Sequence, residues 1–273
     1  MTPILKDTRH PVLIKAIEEN AIEGAKIWAK RWPAMSLLED ENRVLTLTDI
    51  DYPLFNNILR LKASSESIEL LIRDALSPFR QRNLPAFWWA GSISQFIDLD
   101  PILKANQLTY AFQATGMAME LDHLDTSIKI PDSLTIQKVH DIETLKTWST
   151  IVSSVYKFPD YVQEQWFNMY MAVGIDPDNQ WRHYIAFLKG KAVGASSLFF
   201  GAGVVSVSNV ATLSGFQRQG IASAITRHTL LEAQKEGFYI TTLWASKTGR
   251  KVYKNLGYRE YSKGDGYLFS NDL

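Results

Sequence analysis

Two short stretches of this 273-residue chain set residue types at spacings that chemistry can use. The first is "GFQRQGIA", residues 215 to 222, where Gln217, Arg218, Gln219, Gly220, Ile221 and Ala222 follow an apolar run and open a helix-like pattern. The first turn of a helix leaves N–H groups unpaired and carries about half a unit of positive charge, so it can hold a pyrophosphate without any basic side chain. Gly220 and Ala222 would keep bulk out of the way of such an anion. The glycine taken alone fits a plain strand-to-helix turn that merely relieves strain. The second stretch is "VYKNLGY", residues 252 to 258, which places Tyr253 on a short helix ahead of Leu-Gly-Tyr.

Other chemistry-bearing residues read as structural. The five histidines, His10, His123, His140, His183 and His228, have no metal-ligand spacing such as H-x-x-x-H, so no metal is expected. His228 shares a helical face with Ile221, Ala224, Ile225 and Leu231 and should be packed; His183 is the exception, because "WRHYIAF" is a strand that borders a groove. Trp88 and Trp89 are adjacent in a strand pattern, which makes one a core residue and the other a rim residue. Arg250 and Lys251 fit an exposed helix face as well as a phosphate contact. "GAGVV" is a hairpin turn with no helix behind it, which argues against a dinucleotide site.

Composition narrows the classes. Hydrophobic residues at 46% and charged residues at 21% describe a globular chain. Cysteine is absent, which excludes disulfides, thiolate metal sites and a cysteine nucleophile. Lys+Arg and Asp+Glu balance at 29 each, and no basic stripe marks a nucleic-acid binder. No window reaches the roughly 18 apolar residues of a membrane span, and the charged N-terminus lacks a signal peptide's apolar core. A cytoplasmic protein with a small-molecule or peptide partner is the expectation.

These residues must be positioned by a mixed α/β chain. Helical spacing covers 11 to 32, 67 to 81, 101 to 105, 141 to 156, 160 to 173, 220 to 235 and 248 to 255. Strand patterns cover 43 to 50, 54 to 61, "AFWWAG", "TYAFQATGMAMEL", "LTIQKV", "YITTLWA" and "YREYSKGDGYLF". Residues 181 to 213 alternate apolar and polar types around Lys189-Gly190-Lys191 and Gly201-Ala202-Gly203, which predicts a three-stranded antiparallel meander. The polar segment 122 to 133 with Pro131 is the best linker, dividing the chain into 1–130 and 131–273. Residues 54 to 120 repeat the element order of the C-terminal tail, which suggests a degenerate internal duplication.

"QRQGIA" at 217 to 222 matches a Q/R-x-x-G-x-G/A signature behind an apolar strand, and "LWASKTGRKVYKNLGYRE" follows with a tyrosine-bearing short helix. In these motifs the segment 135 to 269 resembles the GNAT N-acetyltransferase superfamily. More loosely, through "FWWAG" and "GMAMEL", the whole chain is similar to bacterial members with a partial GNAT-like N-terminal half. The fold implied is an α/β (α+β mixed sheet) GNAT domain in the C-terminal half, with a related, partial GNAT-like domain before it.

The activity implied is direct transfer of an acetyl group from acetyl-CoA to a primary amine in a ternary complex. By that resemblance Val210, Ala211 and Thr212 pair with the pantetheine arm. The N–H groups of Gln217, Arg218, Gln219, Gly220, Ile221 and Ala222 hold the pyrophosphate, and an N–H near Val210 polarises the thioester carbonyl. Tyr253 protonates the leaving thiolate. Ser246 stands where many members have an asparagine on the cofactor, and Arg218-Gln219 where a glycine and a basic residue are common. No acidic residue lies in 204 to 213, which leaves water, Asn209 as an orienting group, or Asp160 or Glu164 for the amine's proton. The N-terminal half lacks the glycine signature at "RLKASSESIEL" and the tyrosine at "LKANQL"; its jobs are packing, shaping the acceptor pocket or homodimerisation. The alternative to an enzyme is a non-catalytic acyl-CoA-binding or sensing protein with the same fold. The acceptor itself is not readable, although 156 to 180 should wall its site.

Overall fold

A computed structural model describes residues 2–9, 11–62, 68–91, 100–125, 127 and 130–270. The readings of His10 and of the strand-to-helix turn at 63–67 lie outside the described residues. Helix α1 (Leu13–Arg31) leads into β1 (Ser36–Glu39), β2 (Arg43–Leu47), β3 (Asn57–Leu61), α2 (Ile68–Gln81), β4 (Ala86–Ala90), α3 (Asp100–Ala105) and β5 (Leu108–Glu120). Then come β6 (Leu134–Lys138), α4 (Ile142–Tyr156), α5 (Asp160–Val173), β7 (Trp181–Leu188), β8 (Lys191–Gly201) and β9 (Val204–Thr212). The chain closes with α6 (Ile221–Lys235), β10 (Ile240–Ala245), α7 (Arg250–Asn255) and β11 (Arg259–Phe269). The architecture is a mixed α/β one, as the sequence pattern implies. Strand β1 has no counterpart in that pattern, because its four residues are all exposed and show no alternation. The strand expected from residue 54 begins at Asn57, since Pro53 starts a 3₁₀ turn over Pro53–Phe55.

Contacts divide the chain into two compact units, one of Met1–Gly24 with Gly116–Tyr261, the other of Ala25–Thr115 with Ser262–Leu273. This is a partition by contact, whereas 1–130 and 131–273 is a partition by sequence resemblance.

In the first unit the strand order is β10-β9-β8-β7-β6. The meander β7–β8–β9 is antiparallel throughout, as its Gly-rich turns require, and β10 joins β9 in parallel. A parallel partner needs a crossover, and α6 supplies it. Ile221, Ile225 and Leu230 of α6 are completely or almost completely buried against Leu198, Val205 and Val207. Each such side chain contributes about 1.5–3 kcal/mol by leaving water. Helices α4 and α5 pack on one another, and α4 lies against the meander strands β7, β8 and β9. Asp141 and Thr144 make a capping box at the start of α4, and Lys157 ends it in a left-handed conformation.

The chain's start is tied into this unit. Leu5 N–H donates to the Gly203 carbonyl at 2.9 Å, Asn20 Nδ2 donates to the Gly201 carbonyl at 2.9 Å, and Glu23 accepts from the Ala202 N–H at 2.7 Å. Gly203, at φ +75°, cannot carry a side chain, because a Cβ there would collide with the Pro3 carbonyl.

In the second unit the order is β1-β2-β3-β4-β11. Strand β3 runs parallel to β4 after the crossover helix α2, and the other pairings are antiparallel. Its core is built from Leu45, Ile58, Ile72, Leu76, Phe79 and Trp88. Trp88 is buried and Trp89 half-buried, the core-and-rim split expected of that pair. Among the described residues no helix is long and apolar enough to cross a membrane.

Candidate active site

The site begins as an interruption in β9. The β8–β9 register shifts between Ala195 and Ser197, and opposite that shift Asn209 takes φ +53°. Asparagine is one of the few side chains that tolerate the left-handed region, so it is a natural residue for a bulge. The ladder between β9 and β10 is registered at Val205↔Thr241 and Ser206↔Thr242. Val207–Thr212 and Leu243–Ala245 run on beyond those pairs. Past the ladder the two strands can offer main-chain donors and acceptors to an extended, amide-bearing ligand. Val210 and Thr212 are half-buried there, and Ala211 is buried.

From Thr212 the chain turns through a 3₁₀ segment (Ser214–Phe216) into the exposed loop 217–220. The Gln217 amide donates to the Thr212 carbonyl at 3.2 Å and the Gln219 amide to the Gly215 carbonyl at 3.4 Å. These two side chains shape the loop; they do not reach outward. Arg218 (φ +61°) and Gly220 (φ +79°) are both left-handed, a backbone pattern able to turn successive N–H groups toward one side. Gly220 is the N-cap of α6 and gives no side-chain cap, and the first helical turn holds no acidic residue. The first bond of the helix runs from the Ala224 N–H to the Gly220 carbonyl at 2.9 Å. The N–H groups of Ile221 and Ala222 therefore remain open to an anion, while the Ile221 side chain is sunk in the core.

Behind the bulge lies an aromatic enclosure that the sequence shows only as scattered residues. His183 is 3% exposed and packs against Trp148 (ring centroids 4.1 Å apart) and Tyr170 (4.7 Å). Its Nδ1 lies 2.8 Å from Ser197 Oγ. Asn209 Nδ2 donates to Ser197 Oγ at 3.3 Å and to the Tyr170 hydroxyl at 3.2 Å. One buried imidazole, one serine and one phenol thus hold the side chain at the bulge. Burial pushes His183 down to about 3, so the ring is neutral at any working pH. Burial also raises Tyr170 and Tyr253 above the usual phenol range, and both feel Tyr156 at the end of α4. Tyr156 remains 46% exposed as a residue even though desolvation raises its phenol as well.

Tyr253 sits half-buried on α7, edge-on to Tyr258 at 5.9 Å. Ser246 Oγ accepts the Gly249 N–H at 3.1 Å and lies 3.2 Å from Thr248 Oγ1, which anchors the turn that carries α7. Arg250 and Lys254 both pair with Glu260. Asp160 and Glu164 are exposed and lie on the opposite side of α5 from Trp166 and Tyr170. Tyr170 and Ser197 are the residues that sequence reasoning missed. The only signal for Ser197 is a Ser-Ser pair inside an otherwise apolar strand.

Residues 179–260 match the acetyltransferase (GNAT) domain family. Solved structures agree in fold over most of the chain. A GCN5-related N-acetyltransferase from Kribbella flavida is 16% identical with a TM-score of 0.69, covering 91% of this chain and 95% of its own. A GCN5-related N-acetyltransferase from Sphaerobacter thermophilus is 14% identical with a TM-score of 0.64, at 85% and 82% coverage. A tandem GNAT protein from the clavulanic acid biosynthesis pathway is 12% identical with a TM-score of 0.62, at 98% and 97% coverage. No curated protein matches the sequence. At these identities the structures establish the fold, and they are consistent with two GNAT-like halves. Residues 179–260 thus resemble an acetyltransferase (GNAT) domain in sequence, and the chain shares the fold of these proteins.

Proposed function

We propose that the protein is an acetyl-CoA-dependent N-acetyltransferase, transferring the acetyl group to a primary amine of a small molecule or peptide by direct attack in a ternary complex. The observation that carries this reading is the fork beyond Ser206 and Thr242, which opens beside the bulge at Asn209 and leads into the uncapped start of α6. The residues fit the co-substrate. Backbone at Val210–Thr212 pairs with the amides of the pantetheine arm, and the N–H groups from Gln217 to Ala222 receive the pyrophosphate without basic side chains. A strand N–H near Val210 donates to the thioester oxygen as charge develops on it. Tyr253 is the proton donor to the departing sulfur; a phenol kept protonated by burial is present in that form throughout the working range.

Titration calorimetry with acetyl-CoA tests the binding half of this reading, and thiol release with an amine panel tests turnover. Absence of acetyl-CoA binding would sink the proposal.

A further inference from the structure

The surroundings of Asn209 bear on which amines this site can use, an inference that rests on the function proposed above. Attack on a thioester needs a neutral amine, and a protonated acceptor must first give up a proton. Among the described residues, the side chains that bond to Asn209 or support those partners are neutral. Ser197 comes from β8 and Tyr170 from α5, and both bond to Asn209, while His183 from β7 packs behind them. Arg182 on β7 is turned to Glu236 instead, with Nη1 to Oε1 at 2.6 Å. The carboxylates of the helix pair are exposed: Glu143 in the first turn of α4, and Asp160 and Glu164 away from the inward face of α5. Lys146 of α4 and Lys157, which ends that helix, are exposed too. Both contacts of Asn209 use Nδ2, and its Oδ1 has no hydrogen-bond partner among the described residues and is not sealed from solvent. An amide oxygen can accept a hydrogen bond from an incoming N–H, but it cannot take the proton away.

The geometry points to an acceptor that is neutral at working pH without help from the protein, an α-amino group or an arylamine in preference to an alkylamine, oriented by Asn209 Oδ1. The step balances without an added base. The nitrogen lone pair forms the new C–N bond, the C–S bond breaks, Tyr253 gives its proton to sulfur, and the proton lost from nitrogen returns to the phenolate through water. R–NH2 and acetyl-CoA become the amide and CoA-SH with no net proton released. At pH 7 an α-amino group is neutral in about one molecule in eight, and a lysine-like amine in about one in 2,500.

Phenylalaninamide and phenethylamine share an aromatic body and differ in amine basicity, and they form the test pair. The expected result is kcat/KM at pH 7 about 300-fold higher for phenylalaninamide. For phenethylamine, kcat/KM should climb about tenfold per pH unit from 7 to 9, following that amine's own titration. Asn209→Asp keeps the shape of the side chain and tolerates a left-handed backbone. It should narrow the gap between the two amines by tenfold or more, with acetyl-CoA affinity unchanged by calorimetry. Equal rates for the pair at pH 7, a profile that plateaus on an enzyme group below pH 8, or acetylation of neither amine by a protein that binds acetyl-CoA would each overturn the inference. Absence of acetyl-CoA binding would instead strike the proposed function itself.

Discussion

Two strand-to-helix crossovers in this chain have the same outline and different equipment. In one unit β9 leads through α6 to its parallel neighbour β10, and in the other β3 leads through α2 to its parallel neighbour β4. The first ladder is registered at Val205 and Ser206, after which β9 continues to Thr212 around a left-handed Asn209. The second is registered at Asn57 and Ile58, and β3 ends at Leu61 with no left-handed residue in it. Helix α6 starts on a left-handed glycine with no acid in its first turn, while α2 carries Glu69 there. A carboxylate at a helix N-terminus neutralises the positive end of the dipole and repels a phosphate. The parallel crossover is therefore a way to build a sheet. On the function proposed above, the additional bulge, the overrunning strand and the bare helix start are what fit one of the two crossovers for a ligand.

The largest effect expected from perturbing this difference is at Tyr253. Tyr253→Phe should lower kcat by about 100-fold or more with KM little changed, since general acids contribute at that scale. A retained kcat across pH would remove Tyr253 from the mechanism. Gly220→Val should come next. A β-branched residue at φ +79° is strained and covers the open N–H groups, so acetyl-CoA affinity by calorimetry should fall by about 30-fold, or 2 kcal/mol. An unchanged affinity would mean that the start of α6 is not the anion site.

His183 gives a stability signature of the enclosure behind the bulge. Its folded value of about 3 lies below the ordinary histidine value, so the unfolded chain binds a proton that the folded one does not. This contribution is complete above about pH 6.5 and declines as pH falls toward 3, by about 1.4 kcal/mol per unit at most. Denaturant titrations between pH 4 and 6 should show a shallower slope for His183→Gln than for the parent protein. Identical slopes would mean that the imidazole charges without cost. The smallest effect is the control in the other copy. Glu69→Gln should leave acetyl-CoA affinity within twofold, and a larger change would mean that the second crossover also takes part in binding.

Much of this was readable in advance, for identifiable reasons. The meander was legible because Gly190, Gly201 and Gly203 punctuate an alternating run, and the two sequence stretches that open the site follow local rules. The bulge was not legible. Asn209 differs from its neighbours only in tolerating a positive φ, and nothing local says that β8 will slip by a residue opposite it. The Tyr170–Asn209–Ser197–His183 network was hidden for a related reason. Its members come from α5, β9, β8 and β7, and a contact made by packing has no spacing to recognise. His183 drew notice as a groove residue, and the structure makes it a buried support instead.

The tie between the chain's start and the β8–β9 turn has a consequence for synthesis. Asn20 and the Gly201 carbonyl are 181 positions apart, and Leu13 and Ile17 pack with Val204 and Ile240. A ribosome adding about 5–20 residues per second takes about 10–35 seconds to cover that interval. During that time the apolar face of α1 lacks most of its partners in the first unit, Ala118 excepted. Helix α1 thus completes its packing long after it is made, and the interval falls to whatever shields hydrophobic segments on emerging chains.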